Sequence, residues 1–133
     1  MTADAPLAAD AALHVLIVED DGLVAAELAA DVLAAGHLVV GRAATTHGAL
    51  ELAEGEEVDV ALIDVNLDGH GFGGDVAEVL LRRHGVRSIF VSGHLDASNR
   101  EALLSLEPYA MLPKPHDVDD LTAALRGVAA ARP

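Results

Sequence analysis

The chain contains no cysteine, which removes disulfides and thiolate metal sites from consideration. It is also poor in positive charge. Eight Lys and Arg stand against 22 Asp and Glu, a formal net charge of −14 with His neutral. A surplus of that size repels phosphate backbones and anionic lipid surfaces, so neither nucleic acid nor a membrane is expected as a partner. Acids interrupt the apolar runs well before the roughly 18 residues that a membrane span needs. The first dozen residues lack the basic start of a signal peptide, and Asp4 and Asp10 break any apolar segment there. A cytoplasmic protein is the expectation.

What is present is ordinary globular material. Apolar residues make up 52% and charged residues 23% of 133 positions, enough for one domain with a real core. Residues 1–12 read as a loose Ala/Asp/Pro tail and residues 13–131 as the domain, with no output domain attached. HVLIV (14–18) is a compact apolar strand, followed at once by Glu19, Asp20 and Asp21. Residues 23–35 are rich in the helix formers Ala and Leu and end at Gly36, with Glu27 and Asp31 marking a solvent stripe. Residues 38–43 form a second strand. Thr45 or Thr46 caps a helix that runs to about Glu54 and stops at Gly55. VDVALIDVN (58–66) is the third strand, and a glycine-rich loop, LDGHGFGG (67–74), follows it.

Residues 75–84 form a helix with Asp75, Glu78 and Arg82 on one face, and residues 87–91 a fourth strand. Ser98-x-x-Glu101 reads as a capping box for a helix to about Leu106. Residues 110–112 form a short fifth strand closed by Pro113-Lys114-Pro115. The last helix places Val118, Leu121, Leu125 and Val128 at core spacing, with Asp117, Asp119 and Asp120 at its positive end. Five strands alternating with five helices predict an α/β fold, a doubly wound parallel sheet with helices on both faces. In such a sheet the C-terminal strand ends share one rim, where ligands gather.

That rim carries chemistry. The first strand ends in Glu19-Asp20, the third in Asp64 with Asn66 two residues on, the fourth in Ser92-Gly93 and the fifth in Lys114-Pro115. Any one of these residues alone has an ordinary explanation: a turn cap, a helix N-terminal acid, a surface lysine. Together they change the odds, because three carboxylates in one pocket repel each other unless a cation or a proton joins them. Oxygen ligands without cysteine point to a hard ion, Mg²⁺ first and Mn²⁺ as its alternative. A metal-held carboxylate beside a lysine and a hydroxyl donor is the set that phosphoryl transfer to Asp64 needs. The seven histidines show no metal-ligand spacing, so no zinc site is expected. His70, His94 and His116 fall in loops on the rim, where they predict a pH-sensitive site.

The four motifs VEDD, LIDVNL, FVSGH and LPKP, in this order and at these strand ends, make the chain resemble the CheY-like receiver domains of two-component response regulators over about residues 13–130. The resemblance implies a flavodoxin-like (β/α)5 fold with strand order 2-1-3-4-5. It implies Asp64 as phospho-acceptor, Ser92 as switch hydroxyl and Lys114 as ion-pairing lysine, with a cis Lys114–Pro115 bond. Glu19 and Asp20 would be the acid pair of the Mg²⁺ site, completed by Asp64 and the backbone carbonyl of Asn66. It also implies a sensor histidine kinase or histidine phosphotransferase as donor, a further downstream protein as target, and a monomer or weak homodimer. FVSGH is similar to the FATGY-type stand-alone receivers, with His94 at the Tyr position.

Three features depart from the common pattern. Met111 stands where receivers place a rotating aromatic, and Tyr109, two places earlier, is not assigned that role. His116 replaces the usual Phe after the proline, and DGHGFGG replaces a Pro-Gly turn. Two other functions stay open: a receiver-fold binding module that is not phosphorylated, and an aspartyl-phosphate hydrolase. The hydrolase usually needs a second Asp where Asn66 stands. A dinucleotide-binding domain is disfavoured because VEDDG would repel pyrophosphate.

Overall fold

Five apolar runs pair side by side in a computed structural model that describes residues 12–67, 71–93 and 97–131. The elements follow in the order β1 (His14–Val18), α1 (Gly22–Ala34), β2 (Leu38–Ala43), α2 (Thr46–Gly55), β3 (Val60–Asp64), β4 (Asn66–Leu67), β5 (Gly71–Phe72), α3 (Gly73–His84), β6 (Ser88–Ser92), α4 (Ala97–Leu104), β7 (Ala110–Pro113) and α5 (Val118–Ala131). The main sheet has the order β2-β1-β3-β6-β7 with every pair parallel. Counted over its five strands this is the expected 2-1-3-4-5 arrangement.

The period-2 alternation of the strands sorts the core into two layers. Val15 and Ile17 of β1, Val60 and Leu62 of β3 and Ile89 of β6 pack under α1 and α5, against Leu28, Val32, Leu121 and Leu125. Leu16, Val18, Ile63 and Phe90 point the other way, against Ala49, Val76, Leu80 and Leu103 of α2, α3 and α4. All five residues of β3 and of β6 are buried, which is why Val60–Ile63 and Ile89–Val91 read as unbroken apolar runs. Each large apolar side chain so buried contributes about 1.5–3 kcal/mol relative to exposure.

Local chemistry sets the helix ends. Thr45 rather than Thr46 caps α2, its hydroxyl accepting from the Gly48 N–H at 3.0 Å. Gly85 ends α3 in the left-handed region at φ 66°, where glycine carries no Cβ penalty. Asp117 caps α5 through the N–H groups of Asp119 and Asp120.

The structure corrects several expectations. Asp31 is not simply solvated, because its carboxylate meets His116. Ser98 lies inside α4 rather than ahead of it, so Ser98-x-x-Glu101 is not its capping box; α4 also stops at Leu104. Val118 is 49% exposed: it opens α5, and the core contacts of that helix come from Leu121, Leu125 and Val128. The third strand is shorter than VDVALIDVN. It ends at Asp64, and Asn66–Leu67 pairs antiparallel with Gly71–Phe72 of the glycine-rich stretch. That ribbon was not legible because two-residue strands leave no periodicity.

His37 is buried just ahead of β2, and its Nδ1 accepts the Leu13 N–H at 3.0 Å. Burial lowers its pKa from 6.5, so the fold holds a neutral imidazole. A base whose pKa falls on folding binds fewer protons in the native state than in the unfolded one. Its stabilising contribution is therefore complete above pH 6.5 and declines as pH falls below that value. Acidifying from pH 7.5 to 5.5 is expected to lower Tm more in the parent than in His37→Asn, whose side-chain oxygen keeps an acceptor near Leu13; thermal melts at both pH values check this.

Candidate functional site

Four strand ends meet at the rim the sheet topology dictates. β3, the central strand, ends on Asp64, which is 4% exposed although it is an acid. β1 delivers Glu19, 3% exposed, and the partly exposed Asp20. β7 leads into Lys114, which is the chain's single lysine. Its Nζ lies 2.7 Å from Glu19 Oε1 and 3.2 Å from Asp64 Oδ2. The Lys114–Pro115 peptide is cis.

Backbone groups aim the carboxylates. The Asn66 N–H donates to Asp64 Oδ1 at 3.1 Å, and the Asp21 N–H donates to Glu19 Oε2 at 3.3 Å. Glu19 Oε1 is buried and, despite the ion contact with Lys114, has no partner in hydrogen-bond geometry. Burial raises the Glu19 pKa, and the adjoining Asp64 raises it further, while Lys114 and the Asp21 N–H pull it back. Burial alone would lower the Lys114 pKa, but its contacts with Glu19 and Asp64 outweigh that and hold it above the usual lysine value. Three carboxylates, from Glu19, Asp20 and Asp64, face one ammonium, so the formal charge of the cup is negative.

One ligand oxygen each from Glu19, Asp20 and Asp64 lies within 4.8 Å of the others. They line an open cavity of about 310 Å³ together with Asn66, Gly93 and Lys114. Hard oxygens at this separation, one of them buried without a hydrogen bond, suit Mg²⁺ or Mn²⁺.

Ser92 stands at the same rim, buried at the end of β6, and its backbone oxygen accepts the Lys114 N–H at 2.8 Å. It does not line the cavity; Gly93 does. Tyr109 is away from the site, at the other end of β7, with the Arg87 guanidinium 4.0 Å over its ring. Met111 packs into the core layer of Phe90. His70 and His94 lie outside the described residues. His116 faces α1, with Nε2 2.6 Å from Asp31 Oδ2.

Two contributors to the site escaped the sequence reading. Asp21, given no role there, caps α1 by accepting from the Leu23 and Val24 N–H groups at 2.9 and 3.2 Å. Its position before a helical run was the available signal. Gly73 opens α3 directly behind Asp64. A Cβ there would sit 2.2 Å from the Asp64 carbonyl oxygen and 2.9 Å from Val65 Cα. The run of glycines hid which of them the packing requires.

The family profile described as "Response regulator receiver domain" matches residues 15–126. The chain belongs to that family. The receiver is 37% identical over 89 residues to the phyllosphere-induced regulator PhyR of Methylorubrum extorquens, covering 66% of this chain and 33% of PhyR. It thus spans about a third of that relative's length. Among solved structures it is similar to the receiver domain of a modulated diguanylate cyclase from Desulfovibrio desulfuricans, with TM-score 0.83 and 28% identity over 90% of this chain and 94% of that one. The receiver domain of PhyR from Erythrobacter litoralis gives TM-score 0.79 and 26% identity over 94% and 95%. Among the described residues, no helix of the receiver is long and apolar enough to cross a membrane.

Gly73→Ala is expected to destabilise the receiver by about 1–3 kcal/mol, because backbone and not a flexible side chain blocks the new methyl. Gly55→Ala, with nothing within 4 Å of its Cβ, is expected to stay near the parent. Urea titration of the two variants beside the parent tests the contrast.

Proposed function

We propose that the receiver is a phospho-accepting signalling switch with Asp64 as its acceptor. The observation that carries the reading is Lys114 Nζ placed between Glu19 and Asp64 at an open rim. A carboxylate oxygen of Asp64 attacks the phosphorus of a phosphohistidine on a sensor histidine kinase or histidine phosphotransferase. The P–N bond breaks, the imidazole leaves, and an acyl phosphate forms on Asp64. Lys114 holds its ammonium where charge develops on the phosphoryl oxygens, and its contacts with Glu19 and Asp64 favour the protonated form. Glu19, Asp20, Asp64 and the Asn66 carbonyl would hold Mg²⁺, which supplies charge neutralisation to the incoming phosphoryl group. The Ser92 hydroxyl, one residue before the cavity, is the donor drawn toward the modified Asp64.

Output by contact with another protein is supported by the likeness to PhyR, a regulator. The surface in question runs over α4, β7 and α5, where Leu104 and Val118 are 51% and 49% exposed. The acids Asp119 and Asp120 beside Val118 would orient a basic patch on that partner.

Incubating the protein with acetyl phosphate and Mg²⁺ and reading intact mass tests the proposal. The parent is expected to gain one phosphoryl adduct, which chelation of Mg²⁺ removes and Asp64→Asn abolishes. Lys114→Ala is expected to slow the labelling by about 10²-fold. A parent that gains no adduct from acetyl phosphate or from a phosphorylated kinase would leave a phosphorylation-independent binding module as the better account.

A further inference from the structure

We infer that His116 and Asp31 position Lys114, and so set how fast Asp64 is modified; this rests on the role proposed above for the lysine. His116 is the second residue after Lys114, in the segment between β7 and α5. Its side chain is 9% exposed, and its Nε2 lies 2.6 Å from Asp31 Oδ2 on α1, 85 residues away. A carboxylate can only accept, so Nε2 carries the hydrogen and donates it. A contact this short, to an acceptor in a largely covered setting, is of the stronger charge-assisted kind.

The contact closes a mechanical loop around the lysine. Upstream, the Lys114 N–H is bound to the Ser92 carbonyl oxygen. Downstream, Asp117 commits one carboxylate oxygen to the Asp119 and Asp120 N–H groups and starts α5. Between those anchors, the His116 side chain ties the segment to α1. That helix is capped by Asp21, the residue after Glu19 and Asp20. The lysine is thus fastened to the helix that leads out of its own acid partners. Other charges nearby are already engaged or exposed: Lys114 is held by Glu19 and Asp64, and Glu27, one turn before Asp31, faces solvent. His116 touches neither the acids of the cup nor its cavity, so it is a positioning residue.

Because Lys114 is the chain's single lysine, lysine labelled with ¹³C at Cε gives one side-chain signal that reports on it directly. The variants to compare are His116→Ala, Asp31→Ala and His116→Gln, whose amide nitrogen donates from near the Nε2 place. Both alanine variants are expected to shift the Lys114 signal and to slow acetyl phosphate labelling of Asp64 about tenfold, as small misplacements of a catalytic group do. His116→Gln is expected to restore both towards the parent. Alanine variants that leave the Lys114 signal in place would overturn the inference whatever the rate does, because a merely structural histidine predicts that result. A glutamine variant no better than alanine would overturn it too. If His116→Ala does not fold, Asp31→Ala on the helix surface gives the same reading. The NMR measurement needs no phosphoryl donor, so it stands even where the parent takes up no phosphoryl group.

Discussion

Lys114 is the point on which the rim depends. Two acids, Glu19 and Asp64, are buried side by side at the ends of adjacent strands, an arrangement that self-repulsion opposes. One ammonium set 2.7 and 3.2 Å from them offsets part of that repulsion. Asp20 adds a third carboxylate to the same cup. Three carboxylates against one ammonium leave the formal balance negative, and the contacts with Glu19 and Asp64 hold the lysine's pKa above its usual value. A fold that keeps such a cup open has built a place for positive charge.

The parallel sheet makes this convergence geometrically cheap. With every strand of the main sheet running the same way, all C-terminal ends share a rim, and the alternation of side chains lets helices cover both faces without touching it. Asp64 leaves the sheet in register with Val91, and the chain turns at once through the β4–β5 ribbon to Gly73. The close approach of α3 to the Asp64 carbonyl is possible because Gly73 has no side chain. The strand that ends in Asp64 is thus supported from behind by backbone.

Much of this was legible in the residues. The apolar runs gave the strands, the family resemblance gave their order, and the acids, the serine and the lysine after them gave the rim, because strand ends carry meaning in a parallel sheet. What was not legible depended on distance or on geometry without periodicity. The Asp31–His116 contact joins residues 85 apart that local pattern leaves unrelated, so Asp31 read as solvent stripe and His116 as a rim histidine. The ribbon of Asn66–Leu67 with Gly71–Phe72 is too short to show alternation. Val118 fitted a core spacing on paper, yet it opens its helix exposed, since periodicity fixes a face and not how far the core extends beneath it.

On the proposed reading, the same lysine explains how a change at Asp64 would reach the surface. Lys114 divides its contact between Glu19 and Asp64. A phosphoryl group on Asp64 brings up to about two negative charges and three acceptor oxygens, and these compete with Glu19 for the ammonium. Glu19 brings one negative charge against those two, so it is the weaker competitor. A lysine drawn toward Asp64 pulls on a backbone bonded to Ser92 on one side and followed by His116 on the other. The pull therefore falls on the end of β6 and on the start of α5, and these elements border the exposed Leu104 and Val118 surface. Electrostatic competition for one cation, transmitted through a short tethered segment, suffices to bias an equilibrium of a few kcal/mol between two loop arrangements.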